Sequence, residues 1–183
     1  MSPCIKRRRT GIVVEYLDPV GRRFPSVTGN ALSRAAVRLP EDLSGAPAVL
    51  LAAYRRGTQT DIDRWRVFLE REAPGLAVYE LPVIPSFAWR PLAGVIDDGM
   101  RGGVPRALWS NVITLYREGG VVRDFLGDRG GYRAHVALLD AHGVVRWFGA
   151  GGFHSAAAGA LLAALRGLET GSAEAGGAPR PTP

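Results

Sequence analysis

The stretch from Pro47 to Glu72, PAVLLAAYRRGTQTDIDRWRVFLERE, decides the fold. Val49, Leu50, Leu51, Ala52 and Ala53 form a continuous apolar run, the pattern of a strand buried on both faces. A polar loop follows, Arg55-Arg56-Gly57-Thr58-Gln59. Thr60 then stands where a helix cap is wanted, with Asp63 three residues on as a variant of the capping box. Ile62, Trp65, Phe68 and Leu69 recur on one helical face, and Ala73-Pro74-Gly75 ends the helix. At such a corner the free backbone N–H groups and the helix dipole converge, which suits it to function in α/β proteins. This turn contains no cysteine.

Working outward, residues 76–84 (LAVYELPVI) read as a second strand, with Pro82 near its end because proline cannot donate to a ladder. Strand 48–54, helix 60–73 and strand 76–81 make a βαβ unit with an expected right-handed crossover. Upstream, 12–16 reads as an edge strand or an arm that orders on a partner, 30–39 as a short strand pair, and 39–45 as a loop or single helical turn. Downstream, Pro85 and Pro91 bracket a loop holding Phe87 and Trp89. Leu92, Val95, Ile96 and Met100 fall on one face of a helix. The segment 107–116 suits a helix in its first half and a strand over 112–116, the preferred reading. Gly119-Gly120 breaks that strand, and 121–126 forms a short helix with Val122, Phe125 and Leu126 inward. Residues 132–140 and 144–149 form a hairpin about Ala141-His142-Gly143. Residues 154–168, rich in alanine and leucine, form a closing helix. From Glu169 the chain is poor in apolar bulk and reads as disordered. The organisation is thus a basic arm over 1–19, one domain over 20–168 and a tail over 169–183.

A βαβ unit followed by a hairpin and helix around a mixed sheet is the thioredoxin arrangement. The expected class is therefore α/β: a thioredoxin-like fold whose central mixed sheet is flanked by helices, with an inserted helix and strand before the final hairpin. The pieces resemble the thioredoxin-like ATP synthase assembly factors, the family of the mitochondrial ATPase assembly protein ten and its bacterial relatives. The matching residues are Gly21-Arg22-Arg23-Phe24-Pro25, Leu39-Pro40-Glu41-Asp42-Leu43-Ser44-Gly45, the run 49–54 with its cysteine-free turn, and Tyr79-Glu80-Leu81-Pro82-Val83-Ile84. Gly99-Met100-Arg101-Gly102-Gly103-Val104-Pro105, the run 112–116, and the hairpin with Asp140, Gly143 and Arg146-Trp147 complete the match over about residues 20–167. The resemblance implies protein–protein assembly work rather than redox chemistry. No mitochondrial targeting features accompany it.

Composition narrows the classes further. The 183 residues carry a formal net charge of +6. Lys6, Arg7, Arg8 and Arg9 account for four of these charges, and the segment from Glu169 is net negative by one. That leaves about +3 on the body, too little for a nucleic-acid footprint. The arm itself is either a solvated terminus or a contact for an anionic membrane surface. Cys4 is the one cysteine, so no intramolecular disulfide, CxxC pair or cysteine zinc site is available. No apolar run reaches transmembrane length, and Glu15 and Asp18 interrupt any signal-peptide core, so a cytoplasmic protein is expected.

In redox thioredoxins a cysteine pair occupies the β–α turn, and the helix N-terminus lowers the nucleophile's pKa. The equivalent stretch here, 55–62, has no sulfur. Arg55, Arg56, Thr58, Gln59 and Asp61 either hold a carboxylate, phosphate or peptide backbone at the helix start, or form a solvated loop and cap. His135 takes the place where thioredoxins carry a cis-proline facing that helix, which makes an Asp61–His135 contact conceivable; the alternative is an ordinary strand histidine. Trp89, beside Arg90, Arg101 and Arg106, suits either a protein interface or burial against the sheet edge. His135, His142 and His154 lie in different elements, so no metal site is expected. The glycine runs lack GxGxxG order or a P-loop lysine, so no nucleotide cofactor is expected either. The reading is a redox-inactive thioredoxin-like domain, not an enzyme, that binds a protein partner through Arg55, Arg56, Thr58, Gln59, Asp61, Trp89, Arg101 and His135. The alternatives are a thioredoxin- or peroxiredoxin-related oxidoreductase and a small anion-binding domain.

Overall fold

The computed structural model describes residues 5–8, 11–14, 18–43, 45–84, 93–127 and 132–175. In chain order the elements are β1 (Ile5–Arg8), β2 (Gly11–Val14), β3 (Val27–Ala31), β4 (Ala36–Leu39), β5 (Ala48–Ala53), α1 (Gln59–Glu72), β6 (Ala77–Pro82), α2 (Ala93–Arg101), β7 (Ile113–Thr114), α3 (Gly119–Phe125), β8 (His135–Leu139), β9 (Val145–Gly149) and α4 (Ser155–Ala175).

The central sheet has the order β6-β5-β8-β9. β5 and β6 run parallel, Ala48 opposite Ala77 through Ala53 opposite Pro82, so Pro82 does end its strand. β8 lies antiparallel to β5, and β9 antiparallel to β8. This is the mixed sheet expected from the apolar run, since a strand with neighbours on both edges and layers on both faces must be apolar throughout. A second sheet, β4-β3-β7, lies beside it. Isolated parallel bridges from Glu80 to Val112 and from Val83 to Leu115 join its β7 end to β6.

Side chains alternate along each strand and build a core on each face of the central sheet. On one face Leu50, Ala52, Leu81, Ala137, Leu139 and Val145 pack with Phe24, Ile113, Leu115 and the α3 residue Val122. On the other, Val49, Leu51, Val136 and Leu138 pack with Ile62, Trp65 and Leu69 of α1 and Leu161 and Leu165 of α4. Each fully buried leucine or valine contributes on the order of 1.5–3 kcal/mol relative to exposure. Trp65, 1% exposed, is the largest of these buried side chains.

Several expectations are corrected. Gln59, not a residue after Thr60, opens α1; a 3-10 turn over Arg56–Thr58 runs straight into it. Thr60 is therefore inside the helix, and Thr58 occupies the cap position without a side-chain cap bond. Gly119 and Gly120 begin α3 and are not a break before it. Gly119 is needed there because a Cβ would stand 2.9 Å from Val83 Cγ1. The ambiguous 107–116 segment divides into a 3-10 helix over Arg106–Asn111 and the short β7. α4 does not stop at Leu168: Glu169 to Ala175, assigned to the tail on composition, continue the helix, consistent with the strong helix propensity of alanine and glutamate. Gly11–Val14 pairs with Ile5–Arg8, and β1 and β2 pair with no other described strand. Among the described residues no helix is long and apolar enough to cross a membrane.

Candidate functional site

The corner at the end of β5 is built from its backbone outward. After Ala53 the chain turns at Tyr54 and Arg55, and the Thr58 N–H donates to the Arg55 carbonyl at 3.1 Å. The Thr58 hydroxyl donates to the same carbonyl at 2.7 Å. Thr58 is 1% exposed, so its hydroxyl is committed to the turn and closed to a ligand. Gln59 faces solvent and donates from Nε2 to Asp63 Oδ1 at 3.0 Å, one helical turn on.

Asp61 is the carboxylate of the first turn of α1, and it is buried. Gly152, in the segment between β9 and α4, packs directly against it: a Cβ there would lie 2.6 Å from Asp61 Oδ2. Arg133 Nη1 stands 3.9 Å from the same oxygen, with most of its own side chain exposed. The positive end of the α1 dipole is thus already matched by a carboxylate of the chain itself. That weakens the reading in which the α1 N-terminus itself holds an anion, because Asp61 already occupies that place. At the rim, the Arg55 guanidinium lies 4.4 Å above the Tyr132 ring. Tyr132 is 73% exposed, the most open of the exposed large apolar side chains.

His135 faces away from Asp61 and meets the corner through Tyr54. It pairs with Ala52 across β5 and β8, and Ala52 and Ala137 belong to the core on the face away from α1. Ala134, Val136 and Leu138 take the α1 face. One residue of register therefore puts His135 on the wrong side of the sheet for Asp61. Its ring makes edge contacts with Tyr54 and Phe148, with centroids 5.1 and 5.6 Å away. Its Nδ1 lies 3.4 Å from the Tyr54 hydroxyl.

Arg101 is also elsewhere. Its Nε donates to the Leu32 carbonyl at 2.8 Å, and it pairs with Asp98 and lies over the Trp109 ring. It ties α2 to the second sheet. There Asp97, buried, accepts from the Tyr116 hydroxyl at 2.7 Å. Burial, together with this bond to a carboxylate, pushes the Tyr116 hydroxyl pKa up. Trp89 and the Arg56 side chain lie outside the described residues. His154 accepts the Ala157 N–H on Nδ1 at 3.2 Å and so caps α4.

Of the eight residues proposed from sequence, Arg55, Thr58, Gln59 and Asp61 come together, while His135 and Arg101 do not join them. Tyr132, Arg133 and Gly152 complete the corner and were not anticipated. An aromatic followed by an arginine before a buried strand was the available signal for the first two.

The fold has parallels among solved structures. A member of the Sco family of cytochrome c oxidase assembly proteins, BsSco, superposes with a TM-score of 0.59 at 13% identity, over 84% of this chain and 96% of that one. The chain has a thioredoxin-like fold. The exposed lipoprotein thioredoxin Etrx1 of Streptococcus pneumoniae matches with a TM-score of 0.54 at 14% identity, over 79% of this chain and 100% of that one. The peroxidoxin BcpB of Mycobacterium tuberculosis matches with a TM-score of 0.54 at 19% identity, over 81% and 97%. No protein-family model matches the sequence, and neither does any curated protein. At these identities the likeness establishes the thioredoxin-like fold and stops there. The β5–α1 turn presents Arg, Gly, Thr and Gln and contains no cysteine.

Proposed function

We propose that this thioredoxin-like domain is a redox-inactive protein-binding or assembly factor, and that the rim of the β5–α1 corner is its contact face. The observation that carries this reading is the Arg55–Tyr132 pair. A stacked arginine and tyrosine, the ring 73% exposed, stand at the rim of the cysteine-free β5–α1 turn. Tyrosine and arginine are the side chains that most often dominate binding energy at protein interfaces. The pair is held partly rigid by stacking, which lowers the entropy cost of docking. Arg133 adds a second exposed cation beside it, so an acidic or carbonyl-rich segment of a partner fits this face best.

Assembly work is the finer reading. Two similarities support it: that of the sequence to the ATP synthase assembly factors, and that of the fold to a Sco-family assembly protein. A photo-crosslinking residue placed at position 132 in the full chain, in its own cell, tests the face. The expected result is one dominant crosslinked protein whose yield falls at least fivefold when Arg55→Ala is added. Equal yield with and without Arg55, or a diffuse smear from both, would overturn the proposed face.

A further inference from the structure

A second surface lies in the ribbon that β1 and β2 form ahead of the domain. The two strands run antiparallel, with Ile5 opposite Val14, Lys6 opposite Val13, Arg7 opposite Ile12 and Arg8 opposite Gly11. They make a sheet of their own, and no other described strand pairs with either edge. A two-stranded ribbon is marginal in water unless a further surface packs on it. Charge is concentrated here. Lys6, Arg7, Arg8 and Arg9 are consecutive, and no acidic residue precedes Glu15. Residues opposite one another share a face of a ribbon, and successive residues change face. The register therefore puts Ile5, Ile12 and Val14 on one face with Arg7, and Lys6, Arg8 and Val13 on the other. One face is mainly aliphatic and the other mainly basic.

That combination separates two classes of polyanion. A nucleic acid would use the cations and leave the aliphatic face in water, and residues 5–14 contain no aromatic on which a base could stack. A bilayer surface uses both: anionic headgroups meet the cations, and the headgroup–acyl boundary takes the aliphatic face. We propose that the β1–β2 ribbon docks this protein on a membrane surface rich in anionic phospholipid. Each basic residue near such a surface is worth about a fivefold gain in partition. Charge and apolar burial acting together hold a peripheral protein where either alone is marginal. This assignment is independent of the contact face at the corner.

The test is co-sedimentation of the full chain with vesicles of phosphatidylcholine alone and of phosphatidylcholine mixed with phosphatidylglycerol. Binding to the mixed vesicles is expected to be at least tenfold tighter, and to weaken at least fivefold when salt is raised from about 0.1 M to about 0.5 M. Replacing Lys6, Arg7, Arg8 and Arg9 together by glutamine should remove the preference for phosphatidylglycerol. Ile12→Ser with Val14→Ser keeps every charge and should still weaken binding at least threefold. Both variants lie outside the two cores, so their melting temperatures should match wild type. Equal binding to the two kinds of vesicle, binding unchanged in the glutamine variant, or binding unchanged in the Ile12/Val14 variant would each overturn the proposal. So would tighter binding to a single-stranded RNA oligonucleotide than to the mixed vesicles.

Discussion

The α-carbon of Gly152 is pressed against the carboxylate of Asp61, across 91 residues of chain: a Cβ on Gly152 would lie 2.6 Å from Oδ2 and 3.1 Å from Oδ1. Gly152 also holds φ at +79°, where L side chains are strained. The contact closes the segment before α4 over the start of α1. Gly152→Ala is expected to lower stability by about 2–3 kcal/mol, from clash and backbone strain together. Adding Asp61→Ala removes the clash but not the strain, so the double variant should be more stable than the sum of the two single losses implies. Denaturant unfolding of the four proteins checks this. Strict additivity would mean that the two residues do not press on one another.

Asp140 controls the hairpin between β8 and β9. Its Oδ1 accepts the N–H groups of His142 and Val144, both at 2.9 Å, and its Oδ2 accepts Arg146 Nε at 2.7 Å. Burial alone would raise its pKa, but the Val144 N–H, Arg146 and the His142 N–H outweigh that and hold it below the usual aspartate range. Its folded pKa is thus below its unfolded one. The stability it supplies is complete above the unfolded value of about 4 and is lost as pH falls through the folded value. Asp140→Ala should cost about 2–3 kcal/mol at pH 7, from three lost bonds to a charged acceptor. The gap to wild type should narrow as the pH is lowered below about 4. A gap independent of pH would show that the charge is not what matters.

Much of this fold was legible before any coordinates. The apolar run of β5, the helical spacing of Ile62, Trp65 and Leu69, and the hairpin at Gly143 are local signals, and local signals survive folding. What failed was non-local. The side of the sheet that His135 takes depends on its pairing with Ala52, and a one-residue difference in register exchanges the faces. Gly152 meets Asp61 only because β9 and α4 bring it there, so its spacing in the sequence carried no sign of it. Thr60 was misplaced as a cap because the 3-10 turn over Arg56–Thr58 entered α1 directly. Glu80, in the stretch YELPV, carries no local sign of its burial, which depends on the elements packed over β6.

Glu80 should act on stability with the opposite sign to Asp140. Burial raises its carboxyl pKa in the folded state. The folded protein therefore holds this proton to higher pH than the unfolded chain does. Stability from this group is greatest below the unfolded pKa and declines as pH rises through that value towards the folded one. Glu80→Gln, which cannot ionise, should raise stability at pH 7 by about 1 kcal/mol. The gain should shrink to nothing near pH 4, where the unfolded carboxyl is largely protonated. Melting curves of both proteins from pH 4 to pH 8 measure it; a gain that persists at pH 4 would locate the cause in packing.

The absence of redox activity is the prediction on which the functional reading turns. Thiol–disulfide exchange needs a thiolate to attack a disulfide sulfur and a second thiol to release the resulting mixed disulfide. This sequence supplies one cysteine, Cys4, which lies outside the described residues, and none in the β5–α1 turn. The turn's buried polar side chains are occupied: Thr58 bonds to Arg55, and Asp61 sits against Gly152 and near Arg133. In an insulin-reduction assay with dithiothreitol, wild type and Cys4→Ser are expected to give the rate of the reductant alone. Acceleration that disappears in Cys4→Ser would require Cys4 to act with an external thiol as resolving partner. It would move the chemistry from the corner to the N-terminal segment and replace the binding reading with an enzymatic one.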